Sequence, residues 1–148
     1  MRYRVEAFAV STEIDEFADD IRRVFQALGR SFSPESLAGE CSPQIDVYET
    51  DDALEVVTDL PGVSPKSVHI VAKGDALLIA GEKTPRRTGG DPTFHLVERG
   101  YGRFARVVRL GRTFNPASAR ATFAHGELRI SIPKVDERRG RRIPIAIT

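Results

Sequence analysis

Residues 126–134 read Gly-Glu-Leu-Arg-Ile-Ser-Ile-Pro-Lys, and the pattern within them decides the fold class. Large apolar side chains stand at Leu128, Ile130 and Ile132, and a polar residue separates each from the next. Since side chains two residues apart on a strand lie on the same face, this alternation predicts a strand with one buried and one solvated face. The preceding His125-Gly126 has the composition of a turn.

The same period of two residues recurs through the preceding part of the chain. It is present in residues 54–60, 68–70 and 104–110, whereas Ala76 to Ala80 is apolar on both faces. Turn-forming residues separate the runs at Pro61-Gly62, Lys73-Gly74, Thr88-Gly89-Gly90, Gly100-Tyr101-Gly102, Asn115-Pro116 and His125-Gly126. Short strands at this spacing predict an all-β domain over residues 44–134, an immunoglobulin-like antiparallel β-sandwich of about seven to nine strands.

One segment of the predicted sandwich does not fit a short hairpin. Residues 83–91 are polar and rich in Gly and Pro, and Thr93 to Val97 then has the pattern of a short strand. A long excursion that carries its own strand is usually functional or bound elsewhere. We expect this strand to be able to pair with the sheet of a second subunit.

The first part of the chain, residues 1–43, predicts a helical arm followed by a linker. Thr12 can cap a helix and Gly29 can end it, and residues 31–43 contain Ser, Gly and two Pro. The helix carries a single apolar stripe at Ile14, Phe17, Ala18, Ile21, Val24, Phe25 and Leu28. This stripe must pack on the chain's own sandwich, on another subunit or on another protein, and the sequence leaves these alternatives open.

The last part of the chain, residues 135–148, predicts an extended tail with an apolar plug. Ile143 and Ile145 stand in a charged context, and an extended backbone points both side chains the same way. Pro144 lacks an N–H, which suits an added edge strand. The plug implies a socket on another subunit, and the alternative is that this segment is the last strand of the chain's own domain.

The bulk composition is that of a soluble globular protein, with 41% hydrophobic and 29% charged residues. The net charge of +1 predicts no general attraction to nucleic acid or to a membrane. Arg138 to Arg142 could contact nucleic acid, but without aromatic stacking residues we interpret it as a solvating tail. Cys41 is the only cysteine, and neither a signal peptide nor a membrane span is visible, so we expect a cytoplasmic protein.

The sequence favours no catalytic chemistry. His69, His95 and His125 lie in separate predicted strands or turns without the spacing of metal ligands. No nucleophile elbow is present, and Gly100-Tyr101-Gly102 lacks the context of a phosphate-binding loop. We therefore expect no enzyme, no metal and no cofactor. We interpret Cys41 as a linker residue, with a redox role as the alternative.

Five segments occur in an order and at separations that are typical of one family. They are Asp59-Leu60-Pro61-Gly62-Val63; Leu77, Ile79, Gly81, Glu82 and Lys83; Glu98-Arg99, Gly102, Phe104, Arg106 and Leu110; Ala121, Gly126, Leu128, Ile130, Pro133 and Lys134; and Ile143-Pro144-Ile145. On these segments, about residues 44–145 resemble small heat-shock proteins of bacterial type, which carry an α-crystallin domain.

The resemblance implies an ATP-independent holdase, a chaperone that binds partly unfolded client proteins and prevents their aggregation. It also implies a dynamic homo-oligomer built from strand-swapped dimers. Client contact would then fall on the N-terminal apolar residues, which are Phe8, Ile14, Phe17, Ile21, Val24, Phe25 and Leu28. The alternative is a monomeric adaptor like the CS-domain co-chaperones, which would bind one folded partner.

The resemblance further implies two kinds of subunit contact. The Ile143-Pro144-Ile145 anchor would dock in a groove of a neighbour, lined by Val68, Ile70, Ala121 and Phe123. The dimer interface would be formed by Phe94, His95, Leu96, Val97, Arg106, Ile45 and Val47. Arg106 would be paired there, with Asp75 or Glu98 as the candidate acid.

Overall fold

The computed structural model describes residues 17–27, 41–85, 89–111 and 113–135. Within these ranges one helix precedes seven strands, and two short 3-10 turns lie at Pro65–Ser67 and Pro116–Ser118. The helix is α1 (Ala18–Ala27). The strands are β1 (Ile45–Glu49), β2 (Ala53–Asp59), β3 (Val68–Lys73), β4 (Ala76–Lys83), β5 (Gly102–Arg109), β6 (Arg120–Ala124) and β7 (Glu127–Pro133).

The strands form two antiparallel sheets, which confirms the predicted sandwich. One sheet has the order β1-β2-β7-β6 and the other has the order β3-β4-β5. The strand that the alternating pattern predicted is β7, which lies between β2 and β6. Its Leu128, Ile130 and Ile132 are 4%, 1% and 0% exposed, so these apolar residues face inward as expected.

The main core lies between the two sheets. Directly paired residues of an antiparallel ladder lie on the same face of the sheet. Val56 pairs with Ile130 in one sheet, and Ile79 pairs with Arg106 in the other. These pairs identify the side of each strand that faces inward. The main core comprises Leu54, Val56, Leu60, Val63, Leu77, Ile79, Phe104, Val108, Leu110, Phe114, Leu128, Ile130 and Ile132. Burying apolar area of this kind is the dominant stabilising contribution to folding.

A second apolar cluster lies on the opposite side of the three-stranded sheet. Leu77 belongs to the main core, whereas its neighbour Leu78 points outward and is still fully buried, at 0% exposed. The residues that cover it come from the helical segment, and the whole α1–sheet cluster comprises Phe17, Ile21, Val24, Phe25, Ala76, Leu78, Ala80, Ala105 and Val107. The expectation that residues 76–80 are apolar on both faces is therefore met, because each face has its own apolar cover.

A close approach ties the turn after β2 to the turn before β7. Leu60 donates its backbone N–H to the Gly126 carbonyl at 2.6 Å. Gly126 has φ 74°, and a Cβ there would lie 3.1 Å from the Cα of Pro61. Both the left-handed backbone and the lack of space require glycine at this position. The contact holds the ends of β2 and β7 in register.

Candidate interaction surfaces

The edge strands β3 and β6 present apolar side chains that the chain itself does not fully cover. Val68 and Ile70 pair with Gly81 and Ile79 of β4, so both lie on the inward side of the three-stranded sheet. On that edge Ile70 is 36% exposed although it faces inward. An apolar side chain in this position leaves one margin of the sandwich open.

The edge strand β6 of the four-stranded sheet also has inward-facing apolar side chains that are partly exposed. Ala121 and Phe123 pair with Ile130 and Leu128 of the main core, which places both on the inward side. Ala121 is exposed and Phe123 is half-buried against the core. The four residues predicted to line an anchor groove thus all face inward on edge strands.

Contacts at the opposite margin show which edges lie over each other. The segment leading into β1 contacts β5, since the Cys41 N–H donates to the Arg103 carbonyl at 3.1 Å. With β1 beside β5 on one side of the sandwich, the order of the sheets places β6 beside β3 on the other. The four residues predicted to line the groove therefore lie on the two strands at this margin, and the groove itself stays a prediction.

Arg106 lies at the margin between β1 and β5. Its guanidinium donates to the Pro43 carbonyl and lies 3.5 Å from the Ser42 hydroxyl oxygen. Asp75, one of the two acids considered for it, accepts a hydrogen bond from Arg109 at 2.7 Å. Arg106 therefore fixes the segment before β1, and its predicted role at a subunit interface stays a prediction.

The predicted exchange strand is not a strand within the single chain. Residues 93–97 form no regular structure, and Phe94, Leu96 and Val97 are 59%, 74% and 65% exposed. A strand needs a paired edge for its backbone groups, and none of the described strands pairs with this segment. Large exposed apolar side chains that lie close together in sequence are typical of a contact surface, and the predicted exchange between subunits stays a prediction.

The base of this segment is tied to the sandwich by cation–π contacts. The guanidinium of Arg99 lies 5.2 Å and the ammonium of Lys83 5.8 Å from the centre of the Tyr101 ring. Phe94, Leu96 and Val97 line a cleft of about 260 Å³ together with Glu98, Arg99 and Tyr101. The apolar segment thus projects from an anchored base.

The edge strand β1 offers the surface on which such a segment could pair. Among the described strands β1 pairs with β2 alone, so its other edge has unpaired backbone groups. Ile45 and Val47 are half-buried and pack against the main core. An open edge of this kind is a template for an added strand from another chain.

The outer side of the four-stranded sheet is polar instead. The Tyr48 hydroxyl accepts a hydrogen bond from Arg129 at 2.6 Å, and Glu127 accepts one from the same guanidinium at 3.1 Å. Together these bonds raise the pKa of Arg129, with the Tyr48 contact as the larger cause. Ser131 donates to Glu55 at 2.7 Å on the same face. This charged, hydrogen-bonded surface does not resemble an apolar docking site.

The N-terminal stripe is held against the chain's own three-stranded sheet. Phe17, Ile21 and Phe25 are each 0% exposed. Of the other residues predicted to bind clients, Val24 is buried in the same cluster, while Phe8, Ile14 and Leu28 lie outside the described residues. The anchor Ile143, Pro144 and Ile145 also lies outside them, and its docking stays a prediction.

Two charged residues near α1 were not predicted. Glu82 and Arg103 lie opposite each other on β4 and β5, and each is 6% exposed. The guanidinium of Arg103 lies 5.1 Å from the centre of the Phe25 ring. No sequence pattern reveals this contact, because it joins a helix and a strand that lie far apart along the chain.

Neither a metal centre nor a membrane span is found in the part of the chain that is described. Its His, Cys, Asp and Glu side chains form no group of three or more that could hold a metal ion. Its helix is not long and apolar enough to cross a membrane.

Comparison with known proteins identifies relatives over most of the chain. The model of the Hsp20/alpha crystallin family matches residues 46–146. Small heat shock protein C2 of Rickettsia felis is 30% identical over 132 residues, which are 89% of this chain and 84% of the relative. The 17.8 kDa class I heat shock protein of Arabidopsis thaliana is 32% identical over 128 residues, 83% of this chain and 80% of the relative.

Solved structures agree with these relatives. Heat shock protein 16.0 from Schizosaccharomyces pombe is 32% identical with a TM-score of 0.62, and the match covers 74% of this chain and 100% of that one. A small heat-shock protein from Xylella fastidiosa is 29% identical with a TM-score of 0.62, over 73% and 99% of the two chains. The likeness thus extends from sequence to fold.

The separation of the two apolar clusters predicts that α1 can be loosened without unfolding the sandwich. Phe25→Ala removes a fully buried ring from the α1–sheet cluster, a loss of about 3–5 kcal/mol of packing if α1 stays docked. Since short helices are marginal alone, we expect α1 to detach, so trypsin should cleave faster after Arg22 and Arg23. The thermal midpoint of the sandwich, followed by circular dichroism, should change little.

Gln26→Ala is the matched control, because Gln26 is exposed on the same helix. It should leave the rate of cleavage unchanged. A fall in the sandwich midpoint for Phe25→Ala as large as that for Ile130→Ala, in the main core, would show instead that α1 is an integral part of the domain.

Proposed function

Because the chain belongs to the Hsp20/alpha crystallin family, we propose that it acts as an ATP-independent holdase that binds partly unfolded clients. Family membership supports a chaperone role in general terms. The observation that carries the finer proposal is the placement of Phe17, Ile21 and Phe25. These large apolar side chains belong to a cluster that shares no residue with the main core. They can therefore be offered to a client while the sandwich remains folded.

The client surface that we propose is the apolar stripe of the N-terminal arm. Non-native proteins expose apolar side chains, and an apolar helix face removes them from water without directional requirements. Burying one such side chain contributes about 1.5–3 kcal/mol. Several contacts of this size hold a client for a useful time, and no nucleotide is needed because no covalent step occurs.

We further propose that subunits pair by exchange of residues 93–97. The exposed Phe94, Leu96 and Val97 supply an apolar segment, and the open edge of β1 supplies unpaired backbone groups. The segment would dock beside the partner's residues 44–48. Arg106 lies at this margin through its contact with Pro43, so docking there would bring it to the interface. His95 would enter the same interface as part of the exchanged segment.

A second contact would join dimers through the tail. Ile143 and Ile145 would enter the groove between β3 and β6 of a neighbour, against Val68, Ile70, Ala121 and Phe123. Burying two Ile side chains contributes roughly 3–6 kcal/mol, whereas ordering three tail residues costs about 1–2 kcal/mol each. One plug is therefore marginal, and many plugs in one oligomer gain from effective concentration. The assembly would hold together and still exchange subunits. The Xylella relative is itself described as having a distinct high order structure.

The holdase proposal is tested by light scattering of an unfolding model client. The client is heated or reduced without ATP at increasing ratios of this protein. Because binding is stoichiometric capture, we expect scattering to be suppressed near equal subunit ratios. An equal mass of an unrelated soluble protein is the control. Unsuppressed scattering across temperatures and ratios would overturn the holdase proposal.

The tail contact is tested by the double substitution Ile143→Ala with Ile145→Ala. Each change removes most of one side chain that the docked tail would bury, so we expect the oligomer to fall to dimers in sizing with multi-angle light scattering. Ile147→Ala is the matched control, since it makes the same change two residues beyond the anchor and should preserve the oligomer. An oligomer of unchanged mass in the double variant would remove the tail from the assembly.

A further inference from the structure

We propose that the outer face of the three-stranded sheet is itself a binding site for amphipathic helical segments of clients, and that α1 occupies it in the resting chain. The outer sheet face consists of Val71, Ala76, Leu78, Ala80, Ala105 and Val107. The inference rests on the proposed holdase function and adds a second, rigid client surface to the apolar stripe of the arm.

The shape and chemistry of the outer sheet face suit a helix. The strand pairing places Leu78 beside Val107 and Ala80 beside Ala105, with outward side chains that are at most 6% exposed beneath α1. Alanine at three of the positions leaves a shallow trough into which larger side chains of a helix can project. The site is formed by paired strands, so its shape is fixed before a ligand arrives.

Charged groups stand at both ends of this apolar surface. At one end Lys73 extends from β3, and its ammonium lies 3.9 Å from the Asp20 carboxylate in the first turn of α1. At the other end the Arg103 guanidinium lies 5.1 Å from the centre of the Phe25 ring. A ligand helix would therefore be recognised at both ends. Lys73 would bind a carboxylate near its start, and Arg103 would contact an aromatic ring near its end.

The seated α1 shows which ligands the site accepts. Phe17, directly before α1, and Ile21 and Phe25 within it are buried and are spaced by four residues, which places them on one face of the helical segment. The matching ligand is an amphipathic helix with apolar residues at this spacing, an acidic first turn and an aromatic residue in its last turn. Helical segments of unfolding proteins expose such apolar faces when they no longer pack against the rest of their own domain.

The cover formed by α1 is separable from the domain that it covers. A helix of ten residues has little stability of its own, and its cluster shares no residue with the main core. When α1 leaves, the outer sheet face becomes an apolar surface with no cover from the described residues. A client helix and α1 therefore compete for one site, and the resting chain is self-inhibited.

The test uses full-length chains and a fluorescein-labelled peptide with the sequence of residues 17–27. Ile21→Asp places a charge in the α1–sheet cluster, so α1 cannot seat and the outer sheet face is uncovered. We expect this variant to bind the peptide at least about tenfold more tightly than the unmodified chain by fluorescence anisotropy, because a tethered competitor has been removed.

The matched variants add one lysine to the Ile21→Asp chain. Val107→Lys lies within the outer sheet face and should weaken peptide binding about tenfold or more, since it buries a charge beneath the ligand. Thr122→Lys lies exposed on β6 and should not change binding. Equal binding by these two chains, or no gain in the Ile21→Asp chain, would overturn the proposal.

A second measurement keeps the test independent of how Val107→Lys folds. In the Ile21→Asp chain with labelled leucine methyl groups, added peptide should shift the Leu78 signals and leave Leu77 in place, because the two side chains lie on opposite faces of β4. A shift at neither residue would overturn the proposal. Suppressed client scattering without peptide binding would refute this site alone, whereas peptide binding without suppression would refute the holdase function alone.

Discussion

The three-stranded sheet is apolar on both faces, and the rest of the molecule is arranged around that constraint. One face is covered by the four-stranded sheet, which supplies Val56, Ile130 and Ile132 to the main core. The other face is covered by α1, a helix that precedes the sandwich in the chain. The cover by the four-stranded sheet is permanent because it forms the sandwich itself. The cover by α1 consists of a few side chains on a short helix. The sandwich can therefore stay folded while the state of its outer face changes.

The edge strands at the margins of the sandwich also have groups that the described strands leave unpaired. Edge strands have unpaired backbone groups, and β1, β3 and β6 each have an edge that no described strand covers. Many proteins protect such edges with charge, but here the apolar Ile70 lies partly exposed on β3. Exposed apolar groups of this kind are costly in water. Their burial by other chains is part of the proposed assembly.

Much of the fold could be predicted because its signals are local. The alternation at Leu128, Ile130 and Ile132 specified a strand with one buried face, and the two-sided run at residues 76–80 specified a strand covered on both sides. The packing of α1 on the outer sheet face could not be predicted from such a local pattern. It depends on Ala80 and Ala105, small residues on two strands whose pairing no periodic pattern reveals. Likewise, Thr93 to Val97 has the composition of a strand, but a strand needs a paired edge and none of the described strands pairs with this segment.

Hydrogen exchange can show whether α1 leaves the outer sheet face while the sandwich persists. Deuterium uptake of the full-length chain would be followed by mass spectrometry as temperature rises towards the unfolding of the sandwich. We expect residues 18–27 to lose protection first, exchanging at least about tenfold faster than residues 128–132 at every temperature below the midpoint. Loss of protection in α1 and β7 in one cooperative step would contradict it, because the helix would then be part of the domain and not its cover.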